Sequence, residues 1–213
     1  MLDSITLEGQ TFILAPLASV APTALLAAAS EDRTLYRYAD VPADEAGVLR
    51  YVQAAEAAQS RGEALAFAVI ERSSGRVLGS TRFFNIERWT WPAEHPLRRS
   101  ARTPDVVDIG ESWLAASALG TGTHLEVSLL QLTHAFETWR VRRVALRCDA
   151  RNERARRAIE KLGVRFEGVL RAACIAADGA VQDLASYSVL DLEWRAVKSG
   201  LLRATAPRLK SAS

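Results

Sequence analysis

A turn with two glycines stands immediately before a helix-forming segment in the middle of the chain. Residues 117–126 read SALGTGTHLE, and the apolar run that follows Gly120 and Gly122 has the period of a helix. The first backbone N–H groups of a helix have no partner within it, and the helix dipole makes that end partly positive. Glycines carry no Cβ, so an anion can approach these amides closely. The turn therefore predicts a pyrophosphate site at residues 119–123.

Two common phosphate-binding motifs do not match this turn. A Walker loop, GxxxxGK[ST], requires a lysine that is absent here, and the third glycine of a GxGxxG dinucleotide fingerprint is replaced by Leu125. By itself, the GxG pair is equally compatible with a plain glycine-rich helix entry.

Composition excludes several classes of protein. The chain has 213 residues, 49% of them hydrophobic, and a net charge of +2, which suits a globular domain and does not indicate a nucleic-acid partner. Cys148 and Cys174 form no CxxC pair, and the three histidines lack the spacing of metal ligands, so we expect no metal. No signal-peptide pattern or membrane-length apolar stretch is present, which favours a cytoplasmic protein without a membrane partner.

Hydrophobic periodicity predicts a mixed α/β chain. Strands are expected at 11–16, 64–72, 76–87, 106–115, 143–148, 164–176 and 183–194, and helices at 23–30, 43–63, 123–139 and 152–163. The segment 88–105, RWTWPAEHPLRRSARTPD, has no period and reads as a long loop that is either packed or substrate-facing. We expect one domain over 1–195, followed by a basic, poorly patterned tail over 196–213 that forms a short helix and then a disordered end.

The apolar faces of two helices follow from the same periodicity. Spacing in the second helix predicts a buried face of Val48, Leu49, Val52, Ala55 and Ala58. In the helix after the glycine turn it predicts a buried face of Leu125, Leu129, Leu132 and Phe136.

Several motifs occur together in the second half of the chain. DIGESWL is followed by ALGTGT, then by Asn152, by EKLGV, and by Glu167–Gly168 with Arg171. Over residues 106–194 this order resembles the GNAT superfamily of acetyl-CoA-dependent N-acetyltransferases, closest to the RimJ/RimL-like branch that modifies protein N-termini. The resemblance implies the GNAT fold: a central twisted, mostly antiparallel sheet of about six to seven strands, flanked by helices and splayed at its central parallel pair.

The resemblance also implies acetyl-CoA as co-substrate and assigns residues to it. The pantetheine-binding main chain would be Trp113, Leu114 and Ala115, and the pyrophosphate would lie on Leu119, Gly120, Thr121, Gly122 and Thr123. Asn152 is expected to cap its helix and would alternatively contact the arm. Arg157, with Arg154 and Arg156, would meet the 3′-phosphate or form a solvated helix face. The chain departs from the family pattern at three positions. Ser117 stands where glutamine or arginine is usual, Val164 replaces phenylalanine, and Ile159 occupies the slot of the tyrosine that protonates the leaving thiolate in many members.

Two carboxylates on the predicted strand 106–115 are candidates for the general base that deprotonates the attacking amine. Asp108 begins the [DE]IG motif, and Glu111 follows three residues later; water is the alternative, and Asp149 is a weaker candidate.

Strand alternation separates the two carboxylates. It places Asp108, Gly110 and Ser112 on one face, and Glu111 on the other face with Ile109 and Trp113.

The sequence therefore predicts an enzyme that transfers an acetyl group to a primary amine by direct attack in a ternary complex. The acceptor would be a peptide N-terminus or a small molecule, bound by the early helices and the 88–105 loop. The alternative is an acyl-CoA-binding sensor with the same fold and little turnover. The resemblance also makes a homodimer possible.

Overall fold

The computed structural model describes residues 2–100, 103–176 and 178–206. It contains one sheet of eight strands: β1 (Leu7–Glu8), β2 (Phe12–Pro16), β3 (Leu65–Glu71), β4 (Val77–Glu87), β5 (Val106–Leu114), β6 (Arg143–Asp149), β7 (Arg165–Ile175) and β8 (Val181–Leu190). Its α-helices are α1 (Pro22–Ser30), α2 (Glu45–Arg61), α3 (Thr123–Thr133), α4 (Glu153–Glu160) and α5 (Trp194–Thr205). A π-helical turn, His134–Thr138, follows α3 directly.

The sheet is mostly antiparallel and has the order β1-β2-β3-β4-β5-β6-β8-β7. Its parallel pair is β5 with β6, which are connected through α3. This arrangement confirms the predicted mixed α/β fold and its central parallel pair. The short β1 brings the strand number to eight, against the six to seven expected, because a two-residue strand leaves no alternation to read.

Helices cover the sheet through two separate hydrophobic clusters. The larger cluster joins the sheet to α3, α4 and α5 and includes Phe67, Phe83 and Tyr187. The smaller one joins the opposite face to α1 and α2 and includes Leu25 and Val48. Burial of apolar surface on both faces is the main force that holds the helices against the sheet.

The boundaries of two helices follow from local capping. Asp44 accepts a hydrogen bond from the Gly47 amide at the start of α2, and Gly62 ends that helix with φ 74°. Asn152 caps α4 by accepting a 3.0 Å hydrogen bond from the Ala155 amide, as predicted.

Both predicted apolar faces need correction. In α2, Val48 and Ala55 are buried, but Leu49 is 50% exposed. Leu132 of α3 and Phe136 of the π-helical turn are buried as predicted, but Leu125 and Leu129 are only half-buried, whereas the polar Ser128 and Gln131 are buried. The predicted face is the most hydrophobic side of α3. The side that packs against the sheet is instead partly polar.

The C-terminal helix α5 packs on the domain. Val197 and Leu201 belong to the larger cluster, and Leu201 is only 1% exposed. The short helix expected in the tail is therefore present as α5, and the boundary expected after residue 195 falls inside it. Residues 207–213 of the expected tail lie outside the described residues.

The described parts of the 88–105 segment, 88–100 and 103–105, form a loop, as predicted, and Asp105 anchors them. The buried Asp105 carboxylate accepts hydrogen bonds from the Trp89 amide at 2.8 Å and from Trp91 Nε1 at 3.0 Å. The Arg99 guanidinium lies 3.8 Å from the same carboxylate. These contacts favour the packed role for the loop over the substrate-facing one.

Candidate active site

The two central strands separate halfway along their length. Pairing between β5 and β6 covers Val106–Ile109 and Arg143–Leu146, yet β5 continues to Leu114 and β6 to Asp149. We call the gap beyond Ile109 and Leu146 the splay. A cavity of ≈ 990 Å³ is lined by residues on both sides of this gap and on both faces of the sheet. This central cavity therefore passes between the two strands.

A β-bulge lies in β5 at the splay. Trp113 pairs with Ser80 and Gly110 pairs with Arg82, so Glu111 and Ser112 together oppose Thr81 alone. Glu111 has φ 45°, which is uncommon for a residue other than glycine.

The bulge overturns the predicted strand faces. Ile109 is buried in the cluster with α3 and Trp113 in the cluster with α2, although alternation placed them together. Glu111 pairs with Arg82 on the α2 side, while Ser112 hydrogen-bonds to Thr81, whose hydroxyl reaches Gln131 of α3.

The glycine turn gives α3 an N-terminus with unpaired amides. Gly122 is the N-cap residue, with φ 89° and no side-chain cap. Within the described part of the chain, the backbone amides of residues 120–124 have no hydrogen-bond partner. A Cβ built on Gly120 or Gly122 would meet no atom within 4 Å, so there is open space in front of this turn. Unpaired amides, a helix dipole and open space fit a phosphate group.

The residues predicted to hold acetyl-CoA divide into two groups. Four of them line the central cavity: Trp113, Leu114, Leu119 and Asn152. The described residues Ala115, Gly120, Thr121, Gly122, Thr123 and Arg157 lie outside that lining. Thr121 and Gly122 are exposed at the surface, and Ala115 and Thr123 are buried.

Arg157 is directed to solvent. It forms an exposed ion pair with Glu153 at 3.0 Å, one helical turn away. Arg154 lies on the cavity side of the same helix, and its guanidinium donates to the Leu35 carbonyl at 2.7 Å.

Ser117, which stands where glutamine or arginine was expected, is held by two charged side chains. Its amide donates to Glu31 Oε2 at 2.8 Å, its hydroxyl donates to Glu31 Oε1 at 3.0 Å, and Arg76 donates to the hydroxyl at 3.0 Å. These contacts fix the chain that leads into the glycine turn.

Glu111 is the more accessible of the two candidate bases. Its side chain is 53% exposed, lines the central cavity and lies 2.9 Å from the Arg82 guanidinium. Arg82 in turn stacks over the ring of Tyr51.

Asp108 is enclosed by partners. Its side chain is 3% exposed, accepts a hydrogen bond from Asn85 Nδ2 at 2.9 Å and forms an ion pair with Arg147. Burial raises the pKa of Asp108 above its ordinary value, and the hydrogen bond from Asn85 and the charge of Arg147 act in the opposite direction. Asn85 and Arg147 line the central cavity, whereas Asp108 is outside the lining formed by the described residues.

Aromatic residues on the α2 side of the cavity were not identified from the sequence. Tyr36 donates its hydroxyl to the Leu114 carbonyl at 3.0 Å and meets Trp113 edge to face. Trp113 Nε1 donates to the Tyr51 hydroxyl at 3.3 Å. Tyr36 and Tyr51 come from segments far from β5 in sequence, so no local pattern associates them with it.

The polar residues Ser128 and Gln131 of α3 are the second feature that sequence reasoning missed, whereas His124 on the same helix was a candidate for the substrate side. His124, Ser128 and Gln131 line the cavity at helical spacing. His124 Nε2 and Gln131 Nε2 are buried without hydrogen-bond partners among the described residues. Burial lowers the pKa of His124, so its imidazole is neutral at pH 7.

Other chemistries find little support in this site. Burial raises the pKa of Cys148 to about 11, which keeps this thiol protonated and unsuited to attack a thioester. Within the described ranges, no group of three or more potential metal ligands occurs.

The helices of the described chain include none that is long and apolar enough to cross a membrane.

Comparison with known proteins agrees with this geometry. A family described as Acetyltransferase (GNAT) domain matches residues 12–165. A GCN5-related N-acetyltransferase from Brucella melitensis shares 29% identity with a TM-score of 0.80, covering 97% of this chain and 87% of that one. A putative acetyltransferase from T. thermophilus shares 27% identity with a TM-score of 0.76, covering 96% of this chain and 99% of that one.

Similarity extends to a structure described with a ligand, at lower identity. Mycobacterium smegmatis RimJ in complex with CoA-disulfide shares 19% identity with a TM-score of 0.71, covering 91% of this chain and 88% of that one. At this identity only the fold is comparable. No curated protein matches the chain. The match over residues 12–165, together with the splayed sheet and the glycine turn, shows that this chain belongs to the GNAT acetyltransferase family.

Proposed function

We propose that this protein transfers an acetyl group from acetyl-CoA to a primary amine in a ternary complex. The observation that carries the proposal is the run of unpaired amides at residues 120–124, which stands beside a cavity that passes between β5 and β6. A ligand with a phosphate on that turn can extend its other end into the splay, where the opposite face of the sheet admits a second substrate.

Main-chain groups would hold the co-substrate. The amides of residues 120–124 would bind the pyrophosphate, and Trp113, Leu114 and Ala115 would lie along the pantetheine arm. Asn152 Oδ1 already caps α4, which leaves its amide nitrogen for the arm. Arg157 would reach the 3′-phosphate only after leaving Glu153, an exposed pair of small energy.

Glu111 is the better candidate for the base. It lines the cavity on the face opposite α3, and the bulge directs it there. In the reaction the amine nitrogen attacks the thioester carbon, a C–N bond forms, and the C–S bond breaks with its electrons on sulfur. Glu111 would take the amine proton directly or through water.

Asp108 would act by positioning its neighbours. Its carboxylate binds Asn85 and Arg147 together, and both line the cavity on the acceptor side. A carboxylate with two partners and little exposure is poorly placed to accept a proton from a substrate.

The acceptor would enter between α2 and the sheet. The segment 35–54 and β4 line this side of the cavity, and no described part of the 88–105 loop does. We propose a peptide N-terminus as the acceptor, in the manner of the RimJ/RimL-like branch. The motif order supports this proposal, together with the similarity in fold to the RimJ structure.

Release of free thiol from acetyl-CoA, measured with a panel of N-terminal peptides and small amines, tests the function. We expect saturable turnover with at least one acceptor, and a fall of about 10² to 10⁴ in kcat for Glu111→Gln with acetyl-CoA affinity retained. Glu56→Gln, an exposed carboxylate on α2 outside the segment 35–54, is the matched control.

The sensor alternative predicts a different result. Acetyl-CoA would then bind with ordinary affinity, while no acceptor would release thiol. An unchanged kcat in Glu111→Gln would be consistent with acetyl transfer but would show that Glu111 is not the base.

A further inference from the structure

The buried amide of Gln131 is the feature of the cavity that the proposed mechanism does not use. Gln131 is 1% exposed, lies on α3 two turns beyond the glycine turn and lines the central cavity. Its Oε1 accepts a hydrogen bond from Thr81 Oγ1 at 3.0 Å, but its Nε2 has no partner among the described residues. An unpaired buried donor is unfavourable, so a site that keeps one fits a ligand acceptor in front of it.

Thr81 and Ser112 fix the direction of this amide. Thr81 has one hydroxyl hydrogen, and it goes to Gln131; the 2.7 Å contact between Thr81 and Ser112 is therefore donated by Ser112. Thr81 thus holds Oε1, and the two hydrogens of Nε2 are left for the cavity. The chain of contacts runs from β5 through β4 to α3.

The hydrogen bonds that join Ser112, Thr81 and Gln131 lie at the splay. Ser112 belongs to the bulge that follows the last pairing of β5 with β6, between Ile109 and Leu146. Gln131 stands about 12 Å along the helix axis from Thr123, at a rise of about 1.5 Å per residue. A phosphate on the turn and a group beside Gln131 are therefore separated by a distance that an extended arm of a dozen bonds spans.

We propose that Gln131 donates an Nε2 hydrogen bond to the acyl oxygen of the thioester and to the oxyanion it becomes. This inference rests on the proposed function. When the amine attacks, the C=O π electrons move to oxygen, and they return as the C–S bond breaks. A donor fixed in advance and shielded from water stabilises that transient charge more than the ground-state carbonyl. Gln131 would thus be a catalytic residue supplied by α3.

The test separates the acyl oxygen from the rest of the ligand by comparing acetyl-CoA with CoA, which lacks that oxygen. Gln131→Leu keeps the approximate size and removes the donor. We expect kcat to fall about 10²-fold, CoA affinity to stay within about twofold, and the acetyl-CoA to CoA affinity ratio to fall. Titration calorimetry measures the two affinities without turnover.

Two further variants keep the inference falsifiable. Thr81→Val removes the group that holds Oε1, so kcat should fall in the same direction by a smaller factor even where Gln131→Leu folds poorly. Gln59→Leu makes the same chemical change on α2, where the side chain bonds to the Leu2 carbonyl, and should leave kcat unchanged.

Each outcome has a separate meaning. A folded Gln131→Leu with unchanged kcat overturns the inference, because the Gln131 amide of the wild type would then be hydrogen-bonded to water. That result would leave the proposed acetyl transfer standing. Equal losses of CoA and acetyl-CoA affinity overturn it as well, since the contact is then to the arm. A wild-type protein that binds neither ligand overturns the proposed function together with this inference.

Discussion

Replacing Gly122 by aspartate separates ligand binding from folding at the glycine turn. Gly122 has φ 89°, so a side chain there is strained by about 1–3 kcal/mol whatever space surrounds it. Gly75 in the β3–β4 turn has φ 72° and equally open surroundings, so Gly75→Asp carries similar backbone strain in a turn between two strands and not at the start of α3. The two variants should differ only in their response to acetyl-CoA.

The expected magnitudes follow from charge and mass action. Acetyl-CoA at 100 times Kd stabilises the wild type by about 2.7 kcal/mol, which raises the Tm of a chain of this size by about 5–11 °C. A carboxylate about 5 Å from a phosphate charge opposes binding by about 3 kcal/mol at an effective dielectric constant of about 20. That raises Kd roughly 100-fold, so the same ligand concentration stabilises Gly122→Asp by only about 0.4 kcal/mol.

Thermal melts of the three proteins with and without acetyl-CoA measure these differences. We expect a full shift for the wild type and for Gly75→Asp, and a shift of at most about 2 °C for Gly122→Asp. A full ligand-induced shift in Gly122→Asp would show that the phosphate binds elsewhere, and the reasoning from the unpaired amides would fail.

Three other predictions test the packing and the buried ionisable groups. Leu201→Ala should lower the free energy of unfolding by about 2–5 kcal/mol, because Leu201 of α5 is almost fully buried. Urea denaturation measures this, and an unchanged free energy of unfolding would mean that the packing of α5 does not stabilise the domain. At pH 8 iodoacetamide should label the exposed Cys174 in the native protein and leave Cys148 unlabelled, because burial raises the pKa of Cys148 to about 11. Mass spectrometry of the peptides measures the labelling, and equal labelling of both cysteines would contradict the prediction. Burial lowers the pKa of His134, so the unfolded state binds more protons at acidic pH, and the free energy of unfolding should fall as pH drops below about 6.5. His134→Phe should flatten that part of the pH–stability curve. An unaltered slope would show that His134 does not contribute to it.

Local sequence chemistry determined much of the fold and the position of the glycine turn. Strands β2 to β8 and helices α1 to α4 were predicted close to their observed bounds, because their apolar periods and caps act within a few residues. The glycine turn identified the start of α3, since positive φ at both Gly120 and Gly122 is a local requirement that glycine meets best.

Tertiary structure decided which side chains face the cavity. One extra residue in β5 reverses the faces of Glu111 and Ser112, and a bulge leaves no signal in a strand whose residues alternate regularly in sequence. The inner stripe of α3 and the burial of α5 depend on partners far away in sequence, such as α3, against which α5 packs. Gln131 illustrates the reason: by sequence it is a polar residue between two leucines, and only its packing against Thr81 makes it a fixed, buried donor.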